Sequence, residues 1–166
     1  FTNNNELAHQ LFYSHNFGHN GPIAFFGLGI NAKISELQGA MGLAVFNHLD
    51  TIFEERKKVC DFYNENLDFN KLQTIKLRAN TNWNYSYYPI LFETEQKLIE
   101  TIAKLNHLNI FPRRYFYPSL NNIPYVENVS MPISEDIASR IVCLPLYAGL
   151  EENDLKVIVE NINSRL

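Results

Sequence analysis

A stripe of apolar residues at helical spacing is the strongest constraint in this chain. Leu37, Met41, Val45, Leu49, Ile52 and Phe53 recur on one helical face, and the stripe resumes at Val59, Tyr63 and Leu67. Ser35 followed three residues later by Gln38 is a capping-box pattern, which sets the start. The spacing therefore predicts one helix, or a broken pair, from Ser35 to about Asn66. Gly39, Ala40, Gly42 and Ala44 are costly or neutral choices on an exposed helix, so another backbone or a cofactor is expected to approach closely there. The polar segment Gly29-Ile30-Asn31-Ala32-Lys33 stands immediately before it.

The remaining pattern is mixed. Asn5 to about Ser14 suits a short amphipathic helix capped by an Asn, and the stretch from His15 to Gly29 has four glycines and a proline, the mark of an irregular loop. Strand-like territory begins near Leu72, Thr74 and Leu77, and Asn82 to Glu93 reads as a β segment. Pro89 favours an edge position or a bulge in that segment. Leu98, Ile99, Ile102, Ala103 and Leu105 define a helix ending near Asn106. Ser134 is expected to cap a brief helix through Arg140, ahead of a strand from Ile141 to Leu146. Leu155, Ile158, Val159, Ile162 and Leu166 place a last helix on the core. The order predicts a small α+β domain reached through the long helix from something larger upstream. Phe1-Thr2 reads as the tail of a strand, so the expectation is a numbering that begins inside a longer gene product.

Composition excludes several classes. A formal net charge of −4 argues against a nucleic-acid partner. The longest apolar runs, such as Ile141 to Leu144, are too short to span a membrane, and a cytoplasmic location is expected. Cys60 and Cys143 have no metal-ligand spacing and read as buried or idle thiols in a reducing compartment. His9, His15, His48 and His107 show no metal pattern either. Trp83, Tyr85, Tyr87 and Tyr88 alternate as in a strand and are expected in the core.

Three stretches, in order, resemble one family. The segment from Gly29 to Leu67 is similar to the Gly-x-Asn-x-Arg/Lys loop and following helix of the DegT/DnrJ/EryC1/StrS sugar aminotransferases. His15 to Gly21 resembles that family's glycine-containing stretch after the cofactor lysine, and Arg140 to Ile162 resembles its terminal Leu-Pro-Leu-Tyr signature. The resemblance implies a fold-type I transferase using pyridoxal 5'-phosphate (PLP). It further implies amination, with glutamate as donor, of a 3- or 4-keto-6-deoxyhexose on a nucleoside diphosphate. Such products feed bacterial surface polysaccharides or glycosylated natural products. On this reading residues 1–50 are the end of the large cofactor domain, carrying an interface loop and the start of the long helix, and residues 51–166 are the C-terminal small domain.

The resemblance also implies site residues. Asn31 would bind the cofactor phosphate, from a loop that crosses a twofold interface formed by residues 28–50 of a homodimer. Taken alone, Gly29 and Asn31 read as a simple turn. Lys33 stands where many members have Arg, keeping the charge but losing the planar fork, and Gly39 replaces a usual Ala. His19, Lys33, Arg113, Arg114, Tyr115 and Tyr117 are candidates for the sugar nucleotide, with core aromatics and solvated cations as the competing reading of residues 113–117. The family's lysine that joins the cofactor aldehyde belongs to a Ser-Phe-x-x-x-Lys-type motif absent from these residues, so no catalytic residue is expected in this chain. A non-catalytic interaction or regulatory domain of the same fold is the alternative.

Overall fold

A computed structural model describes residues 2–20, 24–123, 126–127 and 129–166. Phe1 and Gly21, which carried parts of two sequence expectations, lie outside the described residues. Backbone contacts divide the chain into two compact units, Phe1–His48 and Leu49–Leu166.

In the first unit, α1 spans Asn5–Ser14, with the Asn4 side chain accepting from the Leu7 N–H at 3.0 Å. The following loop folds back on itself. Phe17 N–H donates to the Ile30 carbonyl (3.1 Å), Ile30 N–H to Ser14 (2.9 Å) and Ala32 N–H to His15 (2.9 Å). Gly18 sits at φ +81°, and a Cβ on Gly29 would collide with its backbone nitrogen. Glycine at position 29 is therefore explained by backbone meeting backbone inside the loop. Helix α2 is Glu36–Phe46, and its capping box is complete: Gln38 N–H donates to Ser35 Oγ (3.2 Å) and Ser35 N–H to Gln38 Oε1 (2.9 Å). Gly42 has open space around it among the described residues. Of the expected long helix and broken pair, the pair is found. The chain leaves α2 at Asn47, and α3 starts afresh at Leu49, running Leu49–Asn66. Asn47 and His48 are both weak helix formers.

The second unit is a mixed helix and strand domain. An antiparallel sheet has the order β1 (Gln73–Thr74), β2 (Tyr88–Leu91), β3 (Ile141–Leu144). Helices α4 (Glu95–His107), α5 (Pro132–Arg140) and α6 (Glu152–Asn163) complete it, with α6 packed on both α3 and α4. The alternation of β2 sends Tyr88 and Ile90 inward, and Phe92 follows them into a core closed by Val59 and Tyr63, Leu98 and Leu105, and Ile158 and Ile162. Full burial of one such side chain contributes roughly 1.5–3 kcal/mol. Cys60 and Cys143 are buried, and burial pushes the Cys60 thiol up to about 12.

Four local expectations need correction. Pro89 is in the central strand, not at an edge. Cys143, its partner in β3, turns its backbone groups to Arg113, so Pro89 faces the β1 side at a point where β1 has ended; its carbonyl accepts from Thr74 Oγ1 at 2.7 Å. The absent N–H breaks no ladder bond. Helix α5 begins two residues before Ser134, at Pro132, and the Glu135 carboxylate accepts the Met131 N–H (2.8 Å) in the absence of a side-chain N-cap. The β segment expected from Asn82 is strand only at Tyr88–Leu91, and that expected to reach Leu146 ends at Leu144.

Candidate functional site

Two separate groups of candidate residues emerge, one in each unit. In the first, Asn16 and Asn31 face each other across an isolated antiparallel bridge, flanked by the Phe17–Ile30 and Ala32–His15 bonds. That spacing points the Asn31 main-chain groups away from the 14–17 segment. The Asn31 side chain is exposed and makes no hydrogen bond to any described residue. Lys33 Nζ donates to Asn16 Oδ1 (2.7 Å) and lies 4.3 Å from the centre of the Phe17 ring. His19 stacks against Phe25, ring centres 4.4 Å apart. The arrangement offers an amide, an ammonium and outward main-chain groups, with no carboxylate among the described residues 14–35. Donors of that kind fit a phosphate anion, so Asn31 and Lys33 suit the phosphate of PLP or of a substrate.

In the second unit, the extended segment at Arg113 alternates its side chains. Arg113 is locked to β3 by two bonds, Arg113 N–H to Cys143 O (3.0 Å) and Cys143 N–H to Arg113 O (2.7 Å). Arg113 and Tyr115 then share one side, where Arg113 Nη1 donates to the Tyr115 hydroxyl at 2.8 Å. They line a cavity of about 300 Å³ together with Tyr87, Phe111 and Tyr147. The Tyr87 and Tyr115 rings are 5.2 Å apart. The cavity floor is fixed from below, because the Tyr63 hydroxyl, deep in the core, donates to the Pro145 carbonyl at 2.8 Å.

Arg114 points elsewhere. Its Nη2 reaches Glu95 Oε1 and the Ser139 carbonyl, both at 2.7 Å, and Tyr117 covers its guanidinium at 3.6 Å. Arg113 and Tyr115 are thus brought together, Arg114 and Tyr117 form a second pair, and Asn31, Lys33 and His19 belong to the first unit. Tyr87 was expected in the core with Tyr88; it is half exposed and lines the cavity. Its position one residue from the buried Tyr88, hence on the opposite strand face, is the signal that identifies it.

The DegT/DnrJ/EryC1/StrS aminotransferase family model matches residues 1–163. The chain belongs to this family. Its aminotransferases are PLP-dependent. A Shigella dysenteriae dTDP-4-amino-4,6-dideoxy-D-glucose transaminase is 32% identical across 96% of the chain, which spans 46% of that enzyme. The Escherichia coli enzyme of the same name is 34% identical across 82% of the chain and 39% of its own length. Among solved structures, a Brucella abortus DegT/DnrJ/EryC1/StrS aminotransferase superposes with a TM-score of 0.86 at 26% identity, covering 99% of this chain and 44% of that one. The chain therefore spans less than half the length of these relatives. Among the described residues no helix is long and apolar enough to cross a membrane, and no group of three or more His, Cys, Asp or Glu gathers to hold a metal.

Proposed function

We propose that this chain works as the C-terminal part of a cytoplasmic, PLP-dependent nucleotide-sugar aminotransferase, moving an amino group from glutamate to a keto-6-deoxyhexose carried on a nucleoside diphosphate. The 4-keto sugar is the first to test, since two relatives above 30% identity are named dTDP-4-amino-4,6-dideoxy-D-glucose transaminases. The products would enter surface polysaccharides or glycosylated natural products. The observation that carries the reading is Arg113, a guanidinium without a carboxylate partner among the described residues, standing in an aromatic-walled cavity. Its planar fork suits two phosphate oxygens at once, while Tyr87 and Tyr147 offer rings and hydroxyls to a sugar.

The chemistry PLP supplies when bound is the temporary holding of the amino group between the two substrates. The residues of this chain bind and orient. Asn31 donates an amide N–H to the cofactor phosphate, Lys33 places a positive charge toward the substrate diphosphate, and His19 contacts the sugar nucleotide. Tyr115 fixes the direction of Arg113. Residues 1–50 are read as the end of the cofactor domain and 51–166 as the small domain.

Helix α2 carries Leu37, Met41, Leu43 and Phe46 around its whole circumference, all more than 60% exposed. A helix apolar on every side is stable in water only when covered. A homodimer through residues 28–50, with the Asn31 loop serving the partner's pocket, accounts for this face. The test is complementation in the complete protein. One inactive variant would lack the lysine that carries the cofactor, and the other would combine Asn31→Ala with Lys33→Ala. Mixed under subunit exchange, they should regain activity with glutamate and a nucleotide keto-sugar, because one pocket of each heterodimer is whole. No recovery, with exchange verified by mass, would assign the loop to its own subunit's pocket. No amination of any keto-sugar nucleotide by the unmutated protein would favour a non-catalytic interaction domain instead.

A further inference from the structure

Arg114 is among the best-anchored cations of the second unit, and none of its contacts lies in the cavity. It is one position from Arg113 on an extended segment, so the two guanidinium groups leave the backbone on opposite sides. Glu95, at the first turn of α4, meets Arg114 Nη2 at 2.7 Å, with the side chains only 21% and 39% accessible. The same nitrogen donates to the Ser139 carbonyl at the end of α5 (2.7 Å), and the Tyr117 ring closes over the group at 3.6 Å. Its Nε is buried with no hydrogen-bond partner among the described residues. A charge that is neutralised by Glu95 and roofed by Tyr117 has little left to give an incoming anion. The opposite holds for Arg113, which is exposed and whose one side-chain bond among the described residues is to the Tyr115 hydroxyl.

We propose that Arg114 is a positioning residue: joined to the start of α4 and the end of α5, it holds the 113–117 turn so that Arg113 and Tyr115 face the cavity. Among the described residues, the main chain alone secures only one end of this turn, through the two bonds between Arg113 and Cys143. The bond from Tyr115 N–H to Arg113 O (3.1 Å) is local to the turn and ties it to nothing else. The guanidinium of Arg114 supplies the second anchor, and it ties the turn to two helices distant in sequence. Glu95 acts on the cavity through Arg114, although it does not line it. The inference rests on the proposed nucleotide-sugar reading only for what the cavity binds.

The experiment uses the complete protein with Arg114→Lys, Glu95→Gln, Arg113→Met and the Arg113→Met/Arg114→Lys double variant. A lysine keeps the charge but cannot bridge carboxylate and carbonyl while lying flat under a ring. The KM for the nucleotide keto-sugar should rise roughly tenfold in Arg114→Lys and in Glu95→Gln, with kcat changed less than about twofold, as expected of uniform binding lost. In the Arg113→Met background, Arg114→Lys should add nothing further, because its effect passes through Arg113. A rise in Arg114→Lys without one in Glu95→Gln would mean direct substrate contact and overturn the proposal. Lower melting temperatures with unchanged KM would also overturn it, leaving a purely structural pair. A second readout does not depend on activity. With fluorotyrosine incorporated and Tyr115 assigned through Tyr115→Phe, the Tyr115 fluorine resonance should shift in both Arg114→Lys and Glu95→Gln. An unmoved resonance would sink the positioning role even if the unmutated protein aminates nothing, an outcome that by itself counts only against the substrate assignment.

Discussion

The two units handle their apolar residues in opposite ways. In Leu49–Leu166 the large side chains converge: Tyr63, Tyr88, Ile90, Phe92, Leu98, Leu105, Ile158 and Ile162 are all within 1% of complete burial. In Phe1–His48 no described hydrophobic side chain is buried, and Leu28, Leu37, Leu43 and Phe46 lie 68–98% exposed. The first unit is organised by backbone instead, through the Gly18–Gly29 approach and the bonds linking residues 14–18 to 26–32. Aromatic edges among His9, Tyr13 and Phe26, with centres 5.5–5.7 Å apart, add to it. A region with its own core sets stability; a region with exposed apolar faces and unspent donors sets what the molecule meets.

The largest effect should come from breaking the core. Leu98→Ala or Ile158→Ala leaves a cavity at a fully buried position and is expected to cost about 2–5 kcal/mol. Trp83, the single tryptophan, packs against the core of the second unit with its ring 4.8 Å from Tyr85, so its fluorescence follows that unit's unfolding. Urea titration should show the midpoint falling in either variant. Leu43→Ser, on the exposed helix of the first unit, should leave the Trp83 transition within about 0.5 kcal/mol of the parent. An equal loss from Leu43→Ser would end the contrast between the two units.

The next effect sharpens the contrast from the other side. In the complete protein, Asn31→Ala should weaken PLP retention by about 1.5–3 kcal/mol, the worth of one hydrogen bond to a charged group. The Trp83 transition should not move. Lys33→Ala is expected mainly to raise the KM for the sugar nucleotide, since the proposed function pairs its charge with the substrate diphosphate. Equilibrium dialysis against PLP gives the first number and steady-state kinetics the second. Cofactor affinity unchanged in Asn31→Ala would remove that amide from the site.

Local signals in the sequence carried far, and long-range ones did not. The Asn4 cap, the Ser35–Gln38 box and the apolar stripe of α6 are all found as expected, because each depends on residues within a turn or two. The tolerance of Pro89 is not legible locally, because it depends on where β1 stops, fifteen residues away in sequence. The start of α5 carries no side-chain N-cap to mark it, because Glu135 satisfies the Met131 N–H from inside the helix. In the candidate site, the Arg113–Tyr115 pair follows from strand alternation. The involvement of Arg114 with Glu95 and Ser139 does not, since nothing local announces partners 19 and 25 residues distant. Asn31 and Lys33 stand out only through the family resemblance; taken alone, Gly29 and Asn31 read as a simple turn.

The smallest effect expected is a pH dependence confined to the second unit. The Glu135 carboxylate accepts the Met131 N–H (2.8 Å) and the Asn121 amide (2.6 Å), and these two bonds, the backbone one foremost, hold it below the usual glutamate range. Glu93, Asp136 and Glu152 are lowered as well, each chiefly by a hydrogen bond from a cation four residues away: Lys97, Arg140 and Lys156. A carboxyl whose folded value lies below its unfolded one, about 4.3 for glutamate, contributes stability that is complete above the unfolded value. The contribution is lost as pH falls through the folded value. The Trp83 transition should therefore hold steady from neutral pH to about pH 5 and then decline toward about pH 3. Glu135→Gln keeps an oxygen for the Met131 N–H but no titrating charge. Its stability at neutral pH should sit slightly below the parent, and its acid decline should be shallower, so the two curves converge as pH drops. Parallel curves would mean that Glu135 contributes nothing to the acid limb, which then belongs to other carboxylates.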